Sequence, residues 1–188
     1  MIVAEQGIVL GLTPLKNSSV IVDIYFEKSG YWKGIAYRIL RPVNLFYSPV
    51  SPLSVIEALA YLPGKDRSTG KIRELTVQPP YLTLRNELSY FICVEASLWN
   101  ALLRNMPPDS VFFNHCIKWL EKMMWIGTSP REWSLFTLQF IDFFLGYNGI
   151  RADISQMTIP QINLLFKKEL NVDIDLMKYF KAFNLPDE

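Results

Sequence analysis

The sequence predicts an α+β protein in two segregated parts, a five-stranded β-barrel over residues 1–80 and an all-α domain over 81–188. Three observations predict it. The first eighty residues hold five short apolar runs separated by turn residues. None of those runs has helical spacing. From residue 84 onward apolar residues recur at three- and four-residue intervals instead.

The strands follow in order. Gly7–Leu12 is a short apolar run closed by Thr13-Pro14. Val20–Phe26 places Val20, Val22, Ile24 and Phe26 on one face, because side chains alternate across a strand. Glu27-Lys-Ser-Gly30 is a turn whose glycine is free to take positive φ. Tyr31–Leu40 forms the third strand. The loop Arg41–Pro52 holds Pro42, Pro49 and Pro52, which cannot serve a central strand. Its adjacent Phe46 and Tyr47 either offer a stacking platform for unpaired bases, or Phe46 plugs one end of the barrel. Leu53–Leu62 and Lys71–Val77 complete the set, joined by the polar turn 63–70. Five such strands form a small, partly closed barrel.

Pro79-Pro80 ends the barrel. Thr83 is an N-cap for a helix reaching Arg104, with Leu84, Leu88, Phe91, Ile92, Trp99 and Leu102 as its stripe. Glu95 lies in that stripe and either meets a basic partner from the barrel or marks the stripe's edge. Asp109 caps a second helix bearing Phe112, Phe113, Cys116, Ile117, Leu120, Met123 and Met124, stopped by Gly127. Ser129-Pro-Arg-Glu132 opens a third, with Glu132 bonding back to the serine amide. That helix is apolar nearly all round from Trp133 to Leu145, which predicts the centre of the block. Two shorter helices, Thr158–Leu170 and Asp173–Phe183, follow.

Composition excludes several classes. Half the residues are hydrophobic, enough for a substantial core. Residues 1–82 carry nine Lys/Arg against six Asp/Glu, and residues 83–188 carry ten against twelve. The net charges of +3 and −2 sum to +1, so the positive excess sits on the first part. It is mild, and any nucleic-acid affinity is expected to be modest and salt-sensitive. Two cysteines without metal-ligand spacing fit a reduced, cytoplasmic setting. Met-Ile-Val-Ala-Glu-Gln does not read as a secretory signal, and no apolar run approaches a bilayer span. No membrane partner is expected.

Catalytic chemistry is not expected. His115 is the single histidine, and its neighbour Cys116 lies about 100° away around a helix. Both Cys93 and Cys116 fall in apolar stretches, where thiols are inert packing. No phosphate loop and no zinc or magnesium cluster is present. No cofactor or metal is implied.

What remains is binding. Lys33 and Tyr37 share one face of the third strand, with Trp32, Ala36 and Arg38 on the other and Arg41 just beyond. Lys71 and Arg73 share a face of the fifth. Cations interleaved with aromatics on a small barrel suit an unpaired strand, the cations tracking phosphates while rings take base faces. Lys33, Arg38, Arg41, Lys71 and Arg73 are therefore the candidate nucleic-acid contacts. A docking surface for another protein, formed by Phe46, Tyr47 or the segment Met123–Trp125, is the competing reading.

Four places carry a family likeness. They are Gly7-Ile-Val-Leu leading through Ser18–Phe26 to Gly30; Ser51-Pro-Leu-Ser-Val-Ile-Glu57; Lys71-Ile-Arg-Glu-Leu with Pro80-Tyr81; and the segments Leu88–Leu103, Val111–Leu120 and Phe136–Tyr147. In order and spacing the chain resembles the bacterial DNA-repair and recombination mediator family RecO, in its form without a zinc finger. The resemblance implies an oligonucleotide-binding (OB-fold) barrel followed by helices, with no enzymatic activity. It further implies binding and annealing of single-stranded DNA, contact with RecR and with the C-terminal tail of the single-strand-binding protein, and help in loading RecA. Arg38 and Arg41 stand where relatives carry a run of basic residues. Without a cysteine quartet no zinc is implied.

Overall fold

The computed structural model describes residues 2–15, 19–37, 50–61, 70–78 and 86–183. Five strands come first: β1 (Ile2–Pro14), β2 (Val20–Phe26), β3 (Gly30–Ala36), β4 (Val55–Tyr61) and β5 (Gly70–Gln78). β1 pairs antiparallel with both β2 and β4, β2 with β3, and β4 with β5, while β3 and β5 run parallel. The order is β1-β2-β3-β5-β4, with β4 back against β1, so every strand has two neighbours. Helices occupy the rest: α1 (Asn86–Leu103), α2 (Ser110–Met123), α3 (Pro130–Tyr147), α4 (Ile159–Leu170) and α5 (Leu176–Ala182), with a 3-10 turn at Ile154–Gln156. The protein is α+β, a five-stranded sheet followed by helices.

Alternation along the strands builds two cores rather than one. Val9, Val20, Val22, Ile24, Phe26, Trp32, Ile56 and Ile72 pack against one another within the sheet. Ile8, Leu10, Tyr25, Leu53 and Val55 project the other way and join Trp99, Phe112, Phe113 and Phe140 in the helical core. β1 therefore has to be apolar on both faces. At Leu10 the β1–β2 register skips a residue, since Val9 faces Ile24 and Gly11 faces Asp23. A second shift lets both Arg73 and Glu74 point outward, because Ala60 pairs with Ile72 and Leu59 with Glu74.

Strand limits differ from expectation where local chemistry is hidden. β1 begins at Ile2 rather than Gly7. Its Glu5 is buried, yet its carboxylate accepts the backbone N–H groups of Lys28 (2.9 Å) and Ser29 (3.1 Å) and the Ser29 hydroxyl. The β2–β3 turn thus satisfies a charge that the sequence pattern reads as a break. Leu53 lies before β4, not in it. Its φ of 63° turns the chain while its N–H donates to Val9 O (2.6 Å) and its side chain enters the helical core. Two glycines make room inside the sheet: a Cβ on Gly34 or Gly70, which are paired residues, would lie 1.8 or 2.2 Å from the Trp32 ring.

The helices follow their caps. The Asp109 carboxylate accepts from Val111 N (2.8 Å) and Phe112 N (3.0 Å), as expected of its position before α2. Glu132 bonds to Gly127 N (3.2 Å), not to the Ser129 amide. α2 ends four residues before Gly127, whose carbonyl accepts the Trp133 indole N–H (2.9 Å). α3 is central through one face only: Phe140 stacks on Trp99 and Phe144 packs on Phe112 and Phe166, while Leu135 and Gln139 are exposed. The expected Thr83 cap lies outside the described residues.

Glu95 meets no cation. It is wholly buried between α1 and α3, its Oε1 against the Thr137 hydroxyl and its Oε2 without a partner among the described residues. Burial pushes its pKa up to about 8, opposed by Thr137 and the neighbouring Trp99. Thr137 also donates to Trp133 O at 2.8 Å. A hydroxyl has a single proton, so both contacts are satisfied together only when Glu95 carries one too.

Two outcomes follow for stability. Glu95 keeps a proton up to about pH 8 that the unfolded chain releases near 4.5. The folded state then binds more protons in that window, so its stability falls as pH rises through it and levels off above. Glu95→Gln removes this slope; a denaturant-midpoint advantage over wild type that is no larger at pH 8.5 than at pH 5 contradicts the assignment. Gly34→Ala drives a methyl into the Trp32 indole and is expected to cost about 1–3 kcal/mol in urea unfolding.

Candidate nucleic-acid interface

The outward faces of the sheet are not equivalent. On one flank Ile8, Leu10, Tyr25 and Val55 are covered by helices. Tyr25 fixes that joint, its hydroxyl donating to Pro107 O (2.8 Å) while its ring packs on Phe112 and Phe113. Gly30, at φ 69°, brings the β2–β3 turn against Met106–Pro108, where a Cβ would sit 3.2 Å from the Pro108 nitrogen. The outward faces of β3 and β5 carry the remaining open surface.

There the register aligns a row across all five strands. Thr13 pairs with Ile21, Ile21 with Ile35, Ile35 with Lys71, Lys71 with Tyr61, and Tyr61 with Ile2. Paired residues share a face, so this row alternates apolar or aromatic groups with one cation. Arg73 and Tyr37 extend it, each one step past the paired residues Ile72 and Ala36. Tyr37 is 54% exposed and Tyr61 38%, both well able to offer a ring face. Arg73 reaches the Tyr61 hydroxyl at 3.5 Å and Glu74 at 3.7 Å, the latter a largely exposed ion pair worth little.

Of the five sequence candidates, Lys33, Lys71 and Arg73 lie on this shared face. Arg38 and Arg41 lie outside the described residues, as do Phe46 and Tyr47. Lys33 is already engaged. It stands opposite Asp23 across the β2–β3 pair, its ammonium 3.4 Å from Oδ1. The buried Asp23 also accepts the Tyr31 hydroxyl at 2.6 Å, and that bond, together with burial, raises the Tyr31 pKa. Gly11 leaves room there for Asn100 of α1, whose Nδ2 would lie 3.4 Å from a Cβ at that position. The hairpin register implied by the Glu27–Gly30 turn already places residues 23 and 33 opposite each other, so the pairing was available from the sequence. Tyr61 gave no such signal, because its neighbour Lys71 is set by the β4–β5 register.

The groups weighed for catalysis are elsewhere and separately occupied. His115 packs against Phe143 and Tyr147. Cys116 is buried, and burial pushes its thiol pKa up. Cys93 is exposed on α1 rather than packed in the core. Among the described residues no cluster of three His, Cys, Asp or Glu could hold a metal, and no helix is long and apolar enough to cross a membrane. No family model matches the chain, and no curated protein matches it either.

Lys33 and Lys71 should separate on stability. Lys33→Met strands Asp23 against a lost counter-charge and is expected to cost on the order of 1 kcal/mol, below a fully buried pair because Lys33 is 44% exposed. Lys71→Ala should stay within about 0.5 kcal/mol. Equal urea midpoints for the two variants would show that the Asp23 contact carries no stability.

Proposed function

We propose that this protein is a non-enzymatic DNA-repair and recombination mediator resembling RecO, in which an OB-fold barrel binds single-stranded DNA. The observation that carries the reading is the outward row on β3, β5 and β4, where Lys71 and Arg73 alternate with Tyr37, Tyr61 and Ile35 on one continuous surface. The strand order β1-β2-β3-β5-β4, with a parallel β3–β5 pair, supports the barrel assignment. Phosphates meet Lys71 and Arg73, and bases lie on the tyrosine rings, each stack contributing about 1–3 kcal/mol. Arg38 and Arg41, outside the described residues, stay candidates by sequence and resemblance alone, and Lys33 contributes less because Asp23 holds it. By resemblance the partners are RecR and the tail of the single-strand-binding protein, in the service of RecA loading.

A second reading, a protein-interaction module on the same architecture, is favoured by one feature. Trp125 is 90% exposed beside Leu135 and Phe136, lining an open groove of about 330 Å³ past the end of α2. Under that reading Trp125→Ala abolishes association with RecR, and the sheet binds no DNA.

Fluorescence anisotropy with a labelled oligothymidine at several salt concentrations decides between them. Wild type should bind at low salt and weaken as salt rises. Lys71→Ala with Arg73→Ala should reduce the slope of log K against log salt by about 1.4, two contacts at about 0.7 each. An unchanged slope removes both residues from the interface.

A further inference from the structure

We infer that Arg104, at the end of α1, is a further phosphate contact, so that the strand's path leaves the sheet along β3 and continues onto the helical part. This rests on the nucleic-acid reading above and extends it past the sheet. The outward residues of β3 run Tyr37, Ile35, Lys33, Tyr31. At one end Lys71 and Arg73 flank them from β5. At the other, the Arg104 guanidinium lies 5.9 Å from the centre of the Tyr31 ring. Successive outward residues stand about 6.6 Å apart, so the four span about 20 Å, room for several nucleotides.

The charges along this line leave Arg104 available. Asp23, the acid nearest its middle, is buried, and its Oδ1 meets both the Lys33 ammonium and the Tyr31 hydroxyl. Arg104 is exposed and takes part in none of the three ion pairs among the described residues. Its guanidinium stands over the Tyr31 ring, and the planar group's N–H donors remain for a phosphate in fork geometry. The cations thus run from Arg73 and Lys71 on β5, through Lys33 on β3, to Arg104 past α1, with Tyr37 and Tyr31 at the two ends of the β3 row. A cation just past α1 also suits the helix dipole, and a cation–π contact adds about 0.5–1 kcal/mol at an exposed site. Those are stability effects, and neither depends on strand length.

Length therefore supplies the test. The full chain is titrated with labelled oligothymidines of about 4 and about 16 nucleotides over a range of sodium chloride. Arg104→Ala should weaken the longer strand about three- to tenfold and lower its salt slope by about 0.7, leaving the shorter strand unchanged. Arg104→Lys should restore the slope. If Arg104→Ala lowers the thermal midpoint, Arg104→Gln, which keeps a polar stem at Tyr31, should give the same loss in a stable protein. Lys71→Ala with Arg73→Ala should weaken both lengths. If that double variant weakens binding while Arg104 substitutions leave both lengths unaltered, the extension is overturned and the sheet site stands. If wild type binds neither length at low salt, the sheet site itself fails, and the extension with it.

Discussion

The double-sided burial of β1 governs the rest of the molecule. Val9 points into the sheet's own core while Ile8 and Leu10, its neighbours, point into the helices. The stretch sandwiched this way, Ile8–Leu10, must be apolar on both faces, and its flank is closed to any ligand. Tyr25 on β2 and Val55 on β4 extend the covered area to either side. The sheet's open surface then lies away from that flank, on the outward residues of β3 and β5 and the end of β4. The location of the candidate site is a consequence of where the helices had to dock, not an independent feature.

The joint between sheet and helices is made of neutral groups or of charges already matched. Tyr25 donates to a backbone carbonyl, and Ser51 and Ser54 bond to each other beneath the turn that carries Leu53. Asp23 is the one carboxylate buried on the outward face of β2, and a lysine and a phenol from β3 meet it. Glu95, deeper among the helices, has no counter-charge and stays in place by holding a proton. The two acids show the alternatives open to a buried carboxylate: a partner within reach, or neutralisation.

Much of this was legible in the sequence, and the failures have physical causes. Alternation in Val20–Phe26 identified the inward face of β2 because four large aliphatic or aromatic residues occupy it without interruption. Asp109 before α2 is likewise where its side chain predicts. The first five residues of β1 were missed because Glu5 and Gln6 look like a loop, and only the distant backbone of Lys28 and Ser29 makes burial of Glu5 tolerable. Leu53 was taken for a strand residue because nothing local announces a left-handed leucine; its conformation is held by Val9 and by the helical core. Lys33 reads as a free cation on periodicity alone, which assigns a face; its partner Asp23 emerges only when the Glu27–Gly30 turn is used to set the hairpin register. The alignment of Lys71 with Ile35 and Tyr61 needed two registers, one of them parallel, and sequence fixes neither.

The scarcity of charge on the open face bears on what kind of nucleic acid it would take. On the reading proposed above, Lys71 and Arg73 are the two described strand cations not paired with a buried acid, and Arg73 lies beside Glu74. Two or three phosphates neutralised by exposed side chains yield weak, non-specific attraction, which physiological salt removes. A duplex presents this face with little else, because its bases are stacked away inside. An unpaired strand also presents base faces, and the row supplies matching surface in Tyr37, Tyr61, Ile21 and Ile35. Stacking is insensitive to ionic strength in a way that phosphate contact is not. On that reading, a face with few cations and two exposed tyrosine rings would discriminate for single strands through the term that salt does not screen.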